Sequence, residues 1–149
     1  MPKIINMPGN AVTAVMCSEV DYIMHCCNAK GVMGSGIAKE IKKNRFTSFI
    51  LYKMFCDQHK DNSLGKAVIT RDVINAIAQL NYGGATREVH YGALARTFVQ
   101  VNNFFKGQTV KIAIPYLMAC DRAGGDWEVV KELLRLFDDN ITIIIYKLN

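Results

Sequence analysis

Strand-like segments alternate with segments of helical periodicity along all 149 residues, and this predicts an α/β/α sandwich. Two observations sharpen that expectation. The runs 21–28 (DYIMHCCN) and 141–148 (ITIIIYKL) are apolar at successive positions, as strands covered on both faces are. Two strand-to-helix connections are also long and glycine-bearing, in the place where α/β sheets bind ligands. The length suits one domain over 1–149, since single domains cluster at about 100–150 residues. No repeat, low-complexity tract or shift of composition marks an internal boundary.

In chain order, residues 3–7 read as a first strand, broken by Pro8-Gly9. Residues 21–28 form a second. Residues 34–45 begin as a glycine loop and continue as a helix, with Ile37 and Ile41 one turn apart. A second helix follows over 46–59. Residues 66–73 and 75–80 read as two short strands. Leu94, Phe98, Val101 and Phe105 keep helical spacing within 90–106. Residues 111–116 (KIAIPY) are a strand closed by Pro115. Asp126 is placed to cap a helix whose Trp127, Val130, Leu134 and Phe137 share one face. The β-branched run 141–148 is the final strand.

Half the residues are apolar, but no run approaches the ~20 residues that span a bilayer. The start, MPKIIN, lacks the features of a secretory signal, so a soluble cytoplasmic protein without membrane contact is expected. Eighteen basic against thirteen acidic residues give a net charge of +5, which favours anionic partners such as nucleotides or nucleic acid. Lys39, Lys42, Lys43 and Arg45 form one dense basic stretch. No aromatic alternates with them, so a solvated helix face is favoured over a nucleic-acid patch. Five cysteines (17, 26, 27, 56, 120) make an odd count without CxxC spacing, which argues for reduced, mostly buried thiols and against a structural metal site. No metal and no cofactor is expected. His25 and Cys26 are adjacent on a strand and point to opposite faces, so they do not easily share an ion.

Two loops carry the candidate chemistry. Residues 28–38 (NAKGVMGSGIA) leave a strand and enter a helix, so their glycines allow backbone N–H groups to turn toward an anion at a helix N-terminus. Neither a Walker loop nor GxGxxG is present. Residues 116–127 (YLMACDRAGGDW) also run from strand to helix and carry adjacent glycines. Side by side, the two loops would clamp a diphosphate without metal.

The stretch MHCCNAKGVMGSGIAKEIKKNRF resembles the first binding loop of a macro domain, with the pattern N-x-x-G-x-M-G-x-G-I-A. Pro8-Gly9-Asn10 stands where that family has an early Gly-Asp, Ile77-Ala78-Gln79 with Tyr82-Gly83 resembles a mid-chain strand and loop, and 114–127 resembles the second phosphate loop. The resemblance covers nearly the whole chain. It points to small phage or bacterial members near the ADP-ribose 1''-phosphate phosphatases and ADP-ribosyl-glutamate hydrolases. It implies a three-layer α/β/α macro-domain fold with a central mixed sheet.

Residue by residue, the resemblance implies that Gly9 and Asn10 meet adenine, Asn10 through its amide oxygen. Asn28 would bond the distal ribose. The N–H groups of Gly31, Val32, Met33, Gly34, Ser35, Gly36 and Ile37 would cradle the phosphates. Ala119, Cys120, Asp121, Arg122, Ala123, Gly124 and Gly125 would close over the diphosphate. The second loop departs from the family's Gly-x-Gly, having Ala119-Cys120-Asp121-Arg122 instead. His25 in His25-Cys26-Cys27-Asn28 resembles a phosphatase arrangement, with a core histidine as the alternative. Asp121 lies near an aspartate used by the glutamate hydrolases, and Asp139-Asn140 near a further functional position of the phosphatases. Trp127 is expected to pack, and Gln79 and Tyr82 to line the distal end or the core.

The implied function is ADP-ribose binding with hydrolysis of ADP-ribose 1''-phosphate, through His25, Asn28 and Asp121. The alternatives are removal of ADP-ribose from modified protein or nucleic acid, a non-catalytic ADP-ribose reader, and a basic nucleic-acid-binding domain.

Overall fold

A computed structural model describes residues 1–34, 36–82, 89–120 and 123–148. Its strands are β1 (Lys3–Pro8), β2 (Tyr22–Asn28), β3 (Ala67–Thr70), β4 (Val73–Gln79), β5 (Val110–Pro115) and β6 (Ile141–Lys147). Its helices are α1 (Ala11–Met16), α2 (Gly36–Asn44), α3 (Phe46–His59), α4 (Tyr91–Phe104) and α5 (Trp127–Leu133), with single 3₁₀ turns at Lys60–Ser63 and Leu134–Leu136. The strands form one sheet in the order β1-β6-β5-β2-β4-β3. All neighbours are parallel except β3, an antiparallel edge on β4. The sheet is therefore mixed, as expected.

Strand alternation sorts the core into two layers. Met24, Ile74, Ile112, Ile114, Ile143 and Ile145 pack with Leu94, Phe98 and Val101 of α4 and with Val130 of α5. Ile23, Cys27, Val73, Ile77, Ala113 and Ile144 pack on the other face with α1, Ile41 of α2, and Phe49 and Tyr52 of α3. Ile114 and Ile143 have no exposed surface, and burying such a side chain contributes about 1.5–3 kcal/mol each. β1 stands at the edge with five of its six residues exposed.

Several boundaries differ from the sequence reading. Helix α1 was not foreseen: six residues with three β-branched members give little periodicity, and its one signal is its cap. Asn10 Oδ1 accepts from Val12 N at 2.8 Å and Thr13 N at 3.4 Å. β3 ends at Thr70 rather than at 73, because Arg71 takes φ 44° and turns the chain, so Val73 opens β4. Arg45 and Asp72 tie this turn to the start of α3, through Nε to Oδ1 at 2.9 Å and a second guanidinium bond to Oδ2 at 3.0 Å. The thiols are less buried than expected: Cys27 and Cys56 are buried, Cys26 and Cys120 half-buried, and Cys17 exposed. No described helix is long and apolar enough to cross a membrane.

Candidate functional site

The parallel strands all present their C-terminal ends at one edge of the sheet. β2 continues into α2 and α3 on one face, whereas β5 continues into α5 on the other, so the chain switches faces between them. Such a switch point is where α/β sheets open a crevice. β2 and β5 pair only at Tyr22↔Ile112 and Ile23↔Ala113, and no later pair joins them. A cavity of about 480 Å³ lies there. One wall is residues 25–28 of β2 with Gln79 of β4, the second is the loop from Val32 to Ala38, and the third is Pro115 to Ala119 with Ala123. Tyr82 borders it as well. Gln79 and Tyr82, which the sequence left open between the distal end and the core, both border the cavity; Gly83 lies outside the described residues.

Asn28 builds the first loop. Its Oδ1 accepts from Lys30 N at 3.1 Å, Val32 N at 3.2 Å and Tyr52 Oη at 3.0 Å, while its Nδ2 donates to Val32 O at 2.9 Å. One amide hydrogen remains for the cavity that Asn28 lines. Tyr52 also donates to the Asn28 carbonyl, so a buried tyrosine of α3 pins the residue from behind. The sequence reading passed over Tyr52; its signal is a phenol inside an otherwise apolar helical run, which needs a partner when buried.

This arrangement divides the expected phosphate cradle. Val32 N is spent on Asn28. Gly31 is buried with its N–H toward Tyr52 and Cys56, at φ 76° and with Lys53 Cγ 3.3 Å from where a Cβ would stand. It makes the turn and does not line the cavity. Met33, Gly34, Gly36 and Ile37 do. Neither Met33 N nor Gly34 N donates to any described residue, and the first-turn N–H groups of α2 have no intrahelical acceptor. Ser35 lies outside the described residues.

The second loop is a succession of tight turns. Met118 N donates to Pro115 O at 3.1 Å, Cys120 N to Leu117 O at 2.9 Å and Gly125 N to Ala119 O at 2.9 Å. Leu117 and Ala119 hold φ 63° and 67° on either side of Met118, an unfavourable conformation for side-chain-bearing residues that costs about 1–3 kcal/mol each. Alternation of this kind turns successive N–H groups into one concavity. The N–H groups of Leu117 and Ala119 donate to no described residue. Gly124 and Gly125 are not part of the cavity lining. A Cβ on Gly125 would lie 2.5 Å from Ala119 O, so Gly125→Ala is expected to cost about 1–3 kcal/mol in urea unfolding and to loosen the loop.

The remaining expected residues fall outside the cavity or the description. Gly9 N extends the β1–β6 ladder to Lys147 O at 3.0 Å, and Asn10 spends its amide oxygen on the α1 cap, so an adenine contact through that oxygen would compete with the cap. Cys120 turns its thiol to Met118 O at 3.3 Å, and burial pushes it up to about 11. Asp121 and Arg122 lie outside the described residues. Asn140 is at the opposite edge of the sheet, its amide bonded to Phe105 O and Gln108 O. Trp127 packs edge-on to Tyr116 at 5.5 Å, as expected.

His25 contributes to the cavity wall and is also a buried residue of the core. Its side chain belongs to the face covered by α1–α3, with no exposed surface. Nε2 lies 2.8 Å from Asn75 Oδ1 and 3.3 Å from Cys27 Sγ. Asn75 in turn donates to Val68 O, and Ser48 bonds Thr70 beside it. Burial lowers the imidazole to about 4, against the Asn75 bond, so the ring is neutral at physiological pH. Burial also holds Cys26 up at about 12, which leaves no thiolate nucleophile on this wall. Among the described residues no charged side chain lines the cavity, and no cluster of three metal-ligating side chains occurs anywhere.

No protein-family model and no curated protein matches the sequence. Solved structures do. A Bacteroides thetaiotaomicron protein of unknown function superposes with a TM-score of 0.81 at 23% identity over 98% of each chain. The macrodomain of Mycobacterium tuberculosis DarG gives 0.78 at 20% identity, again over 98% of each chain. Thermosipho africanus DarTG, solved in complex with ADP-ribose, gives 0.75 at 16% identity, covering 99% of this chain and 42% of that one. The chain therefore has the macrodomain fold, with its crevice at the switch point between β2 and β5.

Proposed function

We propose that the protein binds ADP-ribose in the cavity between β2 and β5. The diphosphate sits between Met33, Gly34 and the first turn of α2 on one side and the 117–119 turn on the other. The observation that carries this reading is a set of cavity-lining residues whose N–H groups have no acceptor among the described residues, two of them buried, Met33 at 2% and Ala119 at 8% exposed. Buried donors need partners. An anion held between a helix N-terminus and a turn concavity satisfies them all. The macrodomain fold and the ADP-ribose complex of a structural relative support the same ligand.

Asn28 supplies the test. Its side chain both shapes the loop and lines the cavity, so Asn28→Ala leaves the Lys30 and Val32 N–H groups short of an acceptor. Losing such bonds costs about 1–3 kcal/mol, and calorimetry is expected to show ADP-ribose affinity lowered about 10- to 100-fold. Unchanged affinity in a folded variant would contradict the reading. Chelation with EDTA is expected to leave wild-type affinity unaltered, because the charge is met by N–H dipoles.

Two fates of the bound ligand compete. Among the described lining residues there is no carboxylate, lysine or arginine, and the buried His25 is neutral at physiological pH, which favours a reader that binds without turnover. Hydrolysis of ADP-ribose 1''-phosphate, the reaction suggested by the resemblance around His25 and Asn28, would instead depend on a water positioned at the phosphate and on Asp121. Removal of ADP-ribose from a modified macromolecule would also call on Asp121. Phosphate release from ADP-ribose 1''-phosphate decides the first pair: the reader releases none while binding ADP-ribose, and the phosphatase releases it catalytically.

A further inference from the structure

Helix α3 carries apolar side chains around its whole circumference. Phe49, Tyr52 and Cys56 fill its buried face. Phe46, Ile50 and Met54, each one turn from the next, run along the opposite face with Leu51 beside them. Ile50 is half-buried, but Phe46 is 57%, Leu51 45% and Met54 60% exposed. A helix that is apolar all round is one that needs cover on both faces. Lys39, Lys42 and Lys43 of α2 stand alongside and line one groove with Phe46. None of these lysines pairs with a carboxylate among the described residues. Lys42 rests over the Phe49 ring at 4.4 Å. The nearby acids do not cancel this charge: Asp57 at the far end of α3 is held by Lys53 at 2.9 Å, and Glu40 of α2 is not part of the groove lining.

We propose that α2 and α3 lie on an anionic lipid surface, with the three lysines among the headgroups and Phe46, Leu51 and Met54 at the boundary with the acyl chains. Charge complementarity makes the lipid anionic, since each lysine near such a surface strengthens binding about fivefold. Shape separates a bilayer from a peptide. An acidic amphipathic segment needs a groove for its apolar anchors, whereas Leu51 and Met54 are exposed without lining either cavity. A bilayer interface takes such side chains without a matching pocket. The lack of a spanning run, on which the expectation of no membrane contact rests, concerns crossing a bilayer and not lying on one. The groove shares Met33 and Gly34 with the cavity, so this contact brings the cavity mouth toward the headgroup layer. The ADP-ribose reading is not required for this proposal, so either can fail alone.

Co-sedimentation with vesicles tests it, comparing pure phosphatidylcholine with an equal mixture of phosphatidylcholine and phosphatidylglycerol. Wild type is expected to bind the mixed vesicles saturably and the neutral ones hardly at all. Lys39→Gln/Lys43→Gln spares the packed Lys42 and is expected to weaken binding about 30-fold, at about fivefold per lysine. Leu51→Ser/Met54→Ser leaves the charge unchanged and is expected to weaken binding about tenfold. Thermal melting confirms that each variant is folded, and ADP-ribose affinity is expected to stay as in wild type, because none of the four residues lines the cavity. Absence of saturable binding to the mixed vesicles would overturn the proposal, as would Leu51→Ser/Met54→Ser binding as tightly as wild type. Soluble poly-glutamate bound as tightly as vesicles at matched charge would overturn it in favour of an acidic polypeptide.

Discussion

Gly34→Glu is expected to abolish measurable ADP-ribose binding while leaving the domain folded. Gly34 is exposed, has ordinary φ, and a Cβ there would meet only Val32 Cγ1 at 3.9 Å. The fold therefore has room for the side chain. The site does not tolerate its charge. A carboxylate beside the start of α2 occupies the field meant for the diphosphate and satisfies the N–H groups that would hold it. At about 4 Å and an effective dielectric of about 20, one pair of like charges costs about 4 kcal/mol, or about three decades of affinity. Gly34→Gln separates charge from bulk and is expected to retain much more binding. Equal loss in both variants would show that the loop is closed by size rather than read by charge.

His25 gives the second large effect, on stability. The folded imidazole titrates near 4, depressed by burial, against 6.5 when unfolded. Between those values the unfolded chain holds more protons, so stability is complete above pH 6.5 and falls as pH drops toward 4. The loss amounts to about 3 kcal/mol and levels off below the folded value. Urea unfolding at a series of pH values should show this slope in wild type. His25→Gln keeps a hydrogen-bonding head for Asn75 and removes the titration, so its slope should be flatter by that amount. An unaltered slope in His25→Gln would return His25 to a solvated place at the ligand. The experiment thus also decides between a core histidine and an acid–base group.

The strands and long helices were legible because their signals are local. The apolar runs at 22–28 and 141–147 and the helical spacing of Leu94, Phe98 and Val101 stand in the folded core as read. What escaped was either short or non-local. The resemblance alone gave Asn10 its adenine contact, and its cap escaped because nothing in six residues of α1 shows a helix that needs one. The β3–β4 turn carries no Gly or Pro, so Arg71 at φ 44° was invisible within a β-branched run. The partner of His25 is Asn75, fifty residues away, and only the β2–β4 register joins them.

The two glycine loops were found from sequence, but not the division of labour within them. Glycines mark where the backbone bends; they do not say which N–H groups are already spent. Asn28 consumes Val32, Tyr52 and Cys56 draw Gly31 inward, and Gly125 closes on Ala119. Leu117 and Ala119, whose N–H groups meet no acceptor among the described residues, have a left-handed backbone that no residue type announces.

The central claim is that the N–H groups between β2 and β5 that have no acceptor among the described residues receive the diphosphate of ADP-ribose. Calorimetric titration of the wild-type protein with ADP-ribose, AMP and ribose 5-phosphate in EDTA tests it most directly. The account predicts saturable one-to-one binding of ADP-ribose, much tighter than either fragment, because only the intact ligand bridges both loops. A folded protein that gives no heat with ADP-ribose, or that binds AMP equally well, would contradict it.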